Sequence, residues 1–273
     1  MKTWLITGCS KGLGKALSEA VLAAGDRLVA TARNSKELTY LRDRYGDLVR
    51  VADLDVTNDQ SAQDAVNLAM QSFGSLDIVV NNAGYGELGS VEETSLTSFR
   101  SQIETNLLGT IIVTKAAIPT LRAQRRGNII QVSSTGGRIG APARAAYSAA
   151  KWGVEGFSES LSREMKLIGV HVTIVEPGGL RTDFARSSDK ACEGRPEYDA
   201  VVGATIRMQR QYHGQQPGDP AKAASVIMTL ANMDKPPLRI ALGSDAVQAI
   251  EAADEERFCE IDRWRSLSRS IDF

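Results

Sequence analysis

The chain has 273 residues, 42% hydrophobic and 24% charged, with 32 Lys and Arg against 33 Asp and Glu. That length suits one α/β domain whose core needs no disulfide or metal, and the balanced charge argues against a nucleic-acid or polyanion surface. The three cysteines, Cys9, Cys192 and Cys259, stand far apart with no metal or redox spacing, as expected in a reduced intracellular setting.

Residues 3–7 enter a strand at once, without a charged leader, and nowhere is there an apolar run of about 18 residues. A soluble cytoplasmic protein with no membrane association is therefore expected. Short Val- and Ile-rich runs alternate with longer helical patterns, which predicts a parallel sheet with helices on both faces. Strands are predicted at 3–7, 27–32, 49–54, 78–81, 128–133, 171–176 and 238–242.

The first strand runs into Thr7-Gly8-Cys9-Ser10-Lys11-Gly12-Leu13-Gly14, and a helix follows over 15–24. Glycines in that context let backbone N–H groups approach a pyrophosphate at the positive end of a helix, as in dinucleotide-binding (Rossmann) sheets. The second strand ends Ala30-Thr31-Ala32-Arg33. An acid there would hold the ribose 2′-hydroxyl of NAD, whereas cations suit the 2′-phosphate of NADP. Ala32 is no acid, and Arg33 and Lys11 are both cations, so NADP(H) is favoured.

Further along, Asp55-Val56 follows the third strand and Asn81-Asn82-Ala83-Gly84 closes the fourth. Residues 96–124 form one long periodic segment that holds Asn106, and the run Asn128-Ile129-Ile130-Gln131-Val132-Ser133-Ser134 ends in Ser134. A second long helix, over 145–167, carries Tyr147-Ser148-Ala149-Ala150-Lys151. Side chains one turn apart share a helix face, so the Tyr147 phenol and the Lys151 ammonium point the same way. A cation within about 4–6 Å lowers a phenol's pKa by roughly 1–3 from its usual ~10, toward the range suited to general acid–base work.

In order and spacing these motifs resemble the short-chain dehydrogenase/reductase family in its compact single-domain form, near its hydroxysteroid- and retinol-dehydrogenase branch. The resemblance covers about residues 2–182, and Gly8, Gly12 and Gly14 match that family's Gly-x-x-x-Gly-x-Gly spacing. It implies a single doubly wound, mostly parallel seven-stranded domain and an NADP(H)-dependent interconversion of a carbonyl and an alcohol. Ser134 would hydrogen-bond the substrate oxygen, Tyr147 would transfer the proton, and Lys151 would tune Tyr147 and hold the nicotinamide ribose. Asn106 would kink its helix and hold a water leading to Lys151.

Cofactor contacts are implied in the first loop at Gly8, Ser10, Lys11, Gly12, Leu13 and Gly14, then at Arg33, Asp55 and Val56. Asn82, Ala83 and Gly84 follow, with Tyr147 and Lys151, and the segment Pro177-Gly178-Gly179-Leu180-Arg181-Thr182 supplies Pro177, Gly178, Leu180 and Thr182. Asp55 would accept from the adenine amino group, a helix cap being its competing role. Thr182 would meet the carboxamide.

Residues 183–219 lack a clear period, and a stretch that long inside a compact domain reads as a substrate lid. Its apolar Phe184, Tyr198, Val201, Val202, Ile206, Met208 and Tyr212 suit one or two short helices over a medium-sized, largely apolar carbonyl. Arg186, Lys190, Arg195, Arg207 and Arg210 would face solvent. A charged helix is predicted over 245–268, and a homo-oligomer, dimer or tetramer, is expected. Trp152 reads as packing, and His171 and His213 have no partners at metal-ligand spacing. The alternative of a catalytically silent, NADP-sensing regulator predicts loss of Ser, Tyr or Lys from the site, and all three are present.

Overall fold

The apolar tetrad Thr3–Ile6 (β1) is buried along its whole length, as a strand covered on both faces by helices must be. On one side of it lie Arg27–Ala32 (β2) and Val49–Asp53 (β3). On the other lie Ile78–Asn81 (β4), Gly127–Val132 (β5), Val170–Pro177 (β6) and Arg239–Leu242 (β7), in the order β3-β2-β1-β4-β5-β6-β7. Every adjoining pair is parallel. This computed structural model describes residues 1–184 and 194–273; the part of the expected lid at 185–193, with Arg186 and Lys190, lies outside the described residues.

The α-helices are Gly12–Ala23 (α1), Thr39–Tyr45 (α2), Asp59–Phe73 (α3), Leu96–Ile103 (α4), Gly109–Gln124 (α5), Ala145–Lys166 (α6), Ala204–Tyr212 (α7), Pro220–Ala231 (α8) and Ser244–Arg269 (α9). Successive strand side chains point to opposite faces, so each strand feeds two cores. Trp4, Ile6, Leu28, Ala30, Ile78 and Val80 pack against Leu13, Leu17 and Val21 of α1 and Ala224 and Ile227 of α8. Leu5, Val29, Val79 and Ile129 pack on the other face against α3, α5 and α6, through residues such as Val66, Val113 and Leu161. This is the doubly wound seven-stranded sheet that the alternating pattern predicts.

The chain leaves β1 outward to β2 and β3, then returns to β4 on the opposite side. That reversal opens a crevice at the carboxyl ends of the strands, where such sheets bind ligands. Every motif singled out from the sequence follows the end of a strand or faces that edge.

Two stretches carry local structure that periodicity alone does not show. The long segment 96–124 is broken by a π-helical turn at Glu104–Leu108 between α4 and α5. Within 183–219, the described part forms a 3₁₀ turn at Pro196–Tyr198, a π turn at Asp199–Gly203 and α7. Val202 and Ile206 are buried there with Leu88 and Ala143, while Val201 and Met208 face out. Arg195 and Arg207 are partly exposed and paired, with Glu92 and Asp199. No helix among the described residues is long and apolar enough to cross a membrane.

Candidate active site

The glycine loop after β1 is shaped by what it cannot hold. A Cβ on Gly14 would lie 2.2 Å from the Gly8 carbonyl oxygen and 2.5 Å from Asn82 Nδ2, and one on Gly12 would meet the Thr182 side chain at 3.3 Å. Gly8 and Gly12 also take φ values of 73 and 53, a region that side chains disfavour. Lys11 stands at the N-cap of α1, where no side chain caps the helix, so the first turn keeps its amides and positive dipole end for an anion. These features fit a pyrophosphate.

The turn after β4 is sewn to that loop. Asn82 Nδ2 donates to the Thr7 carbonyl at 2.8 Å and the Gly8 carbonyl at 3.1 Å, and the Thr7 hydroxyl accepts from the amides of Asn82 and Ala83, both at 2.9 Å. Asn82 and Ala83 thus build the cradle as much as line it. Asn81, one residue earlier, points inward and donates to Thr114 and Gln131 at 2.9 and 2.8 Å.

At the β2 end, Arg33 and Lys11 are both exposed, and no contact among the described residues joins them. The sheet register sets Asp53 beside Ala32, an acid that sequence reading missed there. Its carboxylate accepts from the Ser35 amide at 2.6 Å, which holds it below the usual carboxylate range. Asp55 accepts from the amide and hydroxyl of Thr57 at 3.0 and 2.7 Å. Those bonds depress its pKa, and the charge of Arg33 adds to the effect. The cap of α3 is Asn58, which accepts from the Ser61 amide, so Asp55 closes a local turn rather than capping the helix.

Asn106 is fully buried within the π turn. Its Oδ1 accepts from the Tyr85 amide at 3.0 Å, and its Nδ2 donates to the carbonyls of Tyr85 and Gln102 at 2.8 and 2.9 Å. The extra residue in that turn satisfies an asparagine that would otherwise cost helix propensity. Gly84 fits between it and Lys151 of α6: a Cβ there would be 2.6 Å from Asn106 Oδ1 and 3.7 Å from Lys151 Nζ.

On α6 the ring of Tyr147 is held edgewise between two glycines. A Cβ on Gly86 would come within 3.1 Å of one side of the ring and a Cβ on Gly136 within 3.0 Å of the other. Phe184 meets the ring in a T-shaped contact at 5.7 Å. Ser134 leaves β5 in extended conformation, its hydroxyl accepting from the Gly136 amide at 3.1 Å. Lys151 is 4% exposed, with Nζ 5.8 Å from the Tyr147 ring centroid and donating to the Val132 carbonyl at 2.7 Å.

Burial raises the Tyr147 phenol above its ordinary value, opposed by a hydrogen bond with Ser134 and by the charge of Arg144. Arg144 and Lys151 thus both stand beside the phenol ring, at 5.9 and 5.8 Å from its centroid. Burial also lowers Lys151 to about 8, against the charge of Glu155.

After β6, the Gly178 amide donates to the Leu242 carbonyl at 3.0 Å. The Gly179 amide donates to Asp245 Oδ2 at 2.7 Å. Thr182 lies against Gly12, which joins the expected carboxamide and pyrophosphate segments. Asp245 and Arg144 both belong to this edge, and neither carries a sequence signal. Trp152, read as packing, is half exposed, with the Arg257 guanidinium over its ring at 5.2 Å.

Residues 2–193 match the family model for short chain dehydrogenase. The chain belongs to the short-chain dehydrogenase family. Oxidoreductase BOA17 of Botryotinia fuckeliana is 42% identical over 98% of each chain, and retinol dehydrogenase 8 of Bos taurus is 33% identical over 87% of this chain and 80% of that protein. Among solved structures, a short-chain dehydrogenase from Streptomyces avermitilis superposes with a TM-score of 0.89 at 36% identity, over 99% and 98% of the two chains. An alcohol dehydrogenase from Thermococcus sibiricus, complexed with 5-hydroxy-NADP, gives 0.72 at 26% identity, covering 89% and 96%. This short-chain dehydrogenase is thus an oxidoreductase.

Proposed function

We propose that this short-chain dehydrogenase interconverts a carbonyl and an alcohol with NADP(H). The observation that carries the reading is the clustering of Ser134, Tyr147 and Lys151 beside the glycine cradle, with the Tyr147 ring locked between Gly86 and Gly136. When bound, the nicotinamide supplies or accepts the hydride. Tyr147 gives its proton to the substrate oxygen in reduction and takes it in oxidation. The Ser134 hydroxyl donates to the same oxygen, where negative charge develops. Lys151 holds the ribose and replenishes the proton, with Asn106 completing the relay through water. Choice of NADP(H) over NAD(H) is supported by exposed Arg33 and Lys11 and by the engagement of Asp53 with Ser35.

The same proposal includes a lid over 183–219, a cytoplasmic location and a homo-oligomer. Hydrogen exchange tests the lid: protection over 194–212 should rise when NADPH and a substrate analogue are added, and full protection in the apo enzyme would mean a fixed wall. The function itself is tested by Tyr147→Phe, which removes one oxygen and leaves packing intact. Turnover should fall by about 10²-fold or more while NADPH still binds; a variant with a tenth of wild-type activity or more would refute the assignment.

A further inference from the structure

We propose that Arg144 is an anion-binding residue of the substrate site, so that the carbonyl substrate carries a carboxylate a few bonds from its reacting carbon. The location of the carbonyl rests on the reductase reading above; the charge rests on the surroundings of Arg144 itself.

Arg144 is the N-cap residue of α6, and its guanidinium carbon lies 5.9 Å from the Tyr147 ring centroid. Nη2 donates to Oε1 of Gln209 on α7 at 2.9 Å. Gln209 is neutral, so it orients the guanidinium without cancelling its charge. No carboxylate among the described residues pairs with Arg144, whose side chain stays partly open to solvent.

Two other partly buried arginines show what an internally balanced one looks like in this fold. Arg138 bridges Glu176 and Asp254 at 3.1 and 2.6 Å, and Arg239 bridges Glu155 and Glu159 at 3.0 and 2.8 Å. Burial works to lower both, but their carboxylates outweigh it and their pKa values rise. At Arg144 burial prevails and the value falls. Arg144 is partly buried, and a guanidinium that loses part of its hydration without a carboxylate beside it is destabilised. A carboxylate relieves that cost best, because its two oxygens match the planar fork of N–H groups.

The backbone that carries Arg144 is also fixed from several sides. Ala143 takes φ 63, which is costly for a residue with a side chain and recurs at functional sites. Its carbonyl accepts from the Gly89 amide at 3.0 Å, and its methyl packs with Leu88, Val202 and Ile206. The turn after β4, the start of α6 and α7 therefore close on one another with Arg144 over the phenol ring. Those apolar contacts fix the segment, and the guanidinium beside the phenol ring suits the charged end of a keto acid.

The test compares 5-oxohexanoate and 6-oxoheptanoate with their methyl esters in NADPH-oxidation assays. The wild type should prefer an acid over its ester by about tenfold or more in kcat/KM. Arg144→Gln should bring that ratio close to one, and Arg144→Lys should keep part of it. Equal use of acid and ester by the wild type, or a preference that survives Arg144→Gln, would overturn the proposal while leaving the reductase reading intact.

A second arm needs no turnover. Enzyme with NADPH is titrated with 5-hydroxyhexanoate or its neutral amide, which NADPH cannot reduce, and thermal stability is followed. Acid-selective stabilisation that vanishes in Arg144→Gln supports the site even if neither keto acid is reduced, an outcome that would count against the reductase reading and not against the anion site. Equal stabilisation by acid and amide in this arm likewise overturns the Arg144 proposal.

Discussion

Lys151→Met should stabilise the apo protein at neutral pH while removing turnover. Lys151 is 4% exposed, and burial takes its pKa from 10.5 to about 8. At about 1.4 kcal/mol for each tenfold change in proton affinity, that fall disfavours the folded state by about 3 kcal/mol when the amine is charged in both states. Methionine is similar in length and apolar, so it removes the penalty with little change in packing. It also removes the hydrogen bond to the Val132 carbonyl, a loss of about 1–2 kcal/mol. The net gain at pH 7 is about 1–2 kcal/mol, which in a domain of this size raises Tm by about 3–6 °C.

The pH dependence carries the sign. Because the folded value lies below the unfolded one, the unfolded chain binds the extra proton between about 8 and 10.5. Wild-type stability from this group therefore climbs with pH across that window, and the Met variant lacks the climb. Urea denaturation of both proteins from pH 6.5 to 10.5 should show the variant's advantage constant below about 8, shrinking above it and reversed at the top. A difference that does not change with pH, or a variant less stable at pH 7, would refute this reasoning.

NADPH should be preferred over NADH by about tenfold or more in kcat/KM, about 1.4 kcal/mol, and Ala32→Asp with Arg33→Ile should reverse the preference; equal use of both by the wild type would count against Arg33 and Lys11. Gly14→Ala should abolish NADPH binding, measured by fluorescence, and lower Tm, because its methyl would sit 2.2 Å from the Gly8 carbonyl; normal binding would mean that the loop relaxes freely.

The periodicity of the chain determined the sheet. Parallel strands buried on both faces must be continuously apolar, and Thr3–Ile6 and Ile78–Asn81 read that way without any structure. The glycine spacing and the one-turn separation of Tyr147 and Lys151 were legible for the same reason: each is a local geometric requirement, written within one loop or one helix. A kink at Asn106 was expected from the family resemblance, but its π form was not legible, because it depends on the Tyr85 backbone that meets the side chain from another segment.

Tertiary structure alone decided the rest. Asp53 reaches the end of β2 only through strand register. Asp245 meets Gly179 across 66 positions, and Gln209 meets Arg144 across 65. The ionisation of the site belongs here too. The sequence places a lysine one turn from a tyrosine, which predicts a lowered phenol. Folding buries both groups, raising Tyr147 and lowering Lys151, and brings Arg144 to the ring. Desolvation depends on everything packed around a group, and no spacing of residues along a chain encodes that.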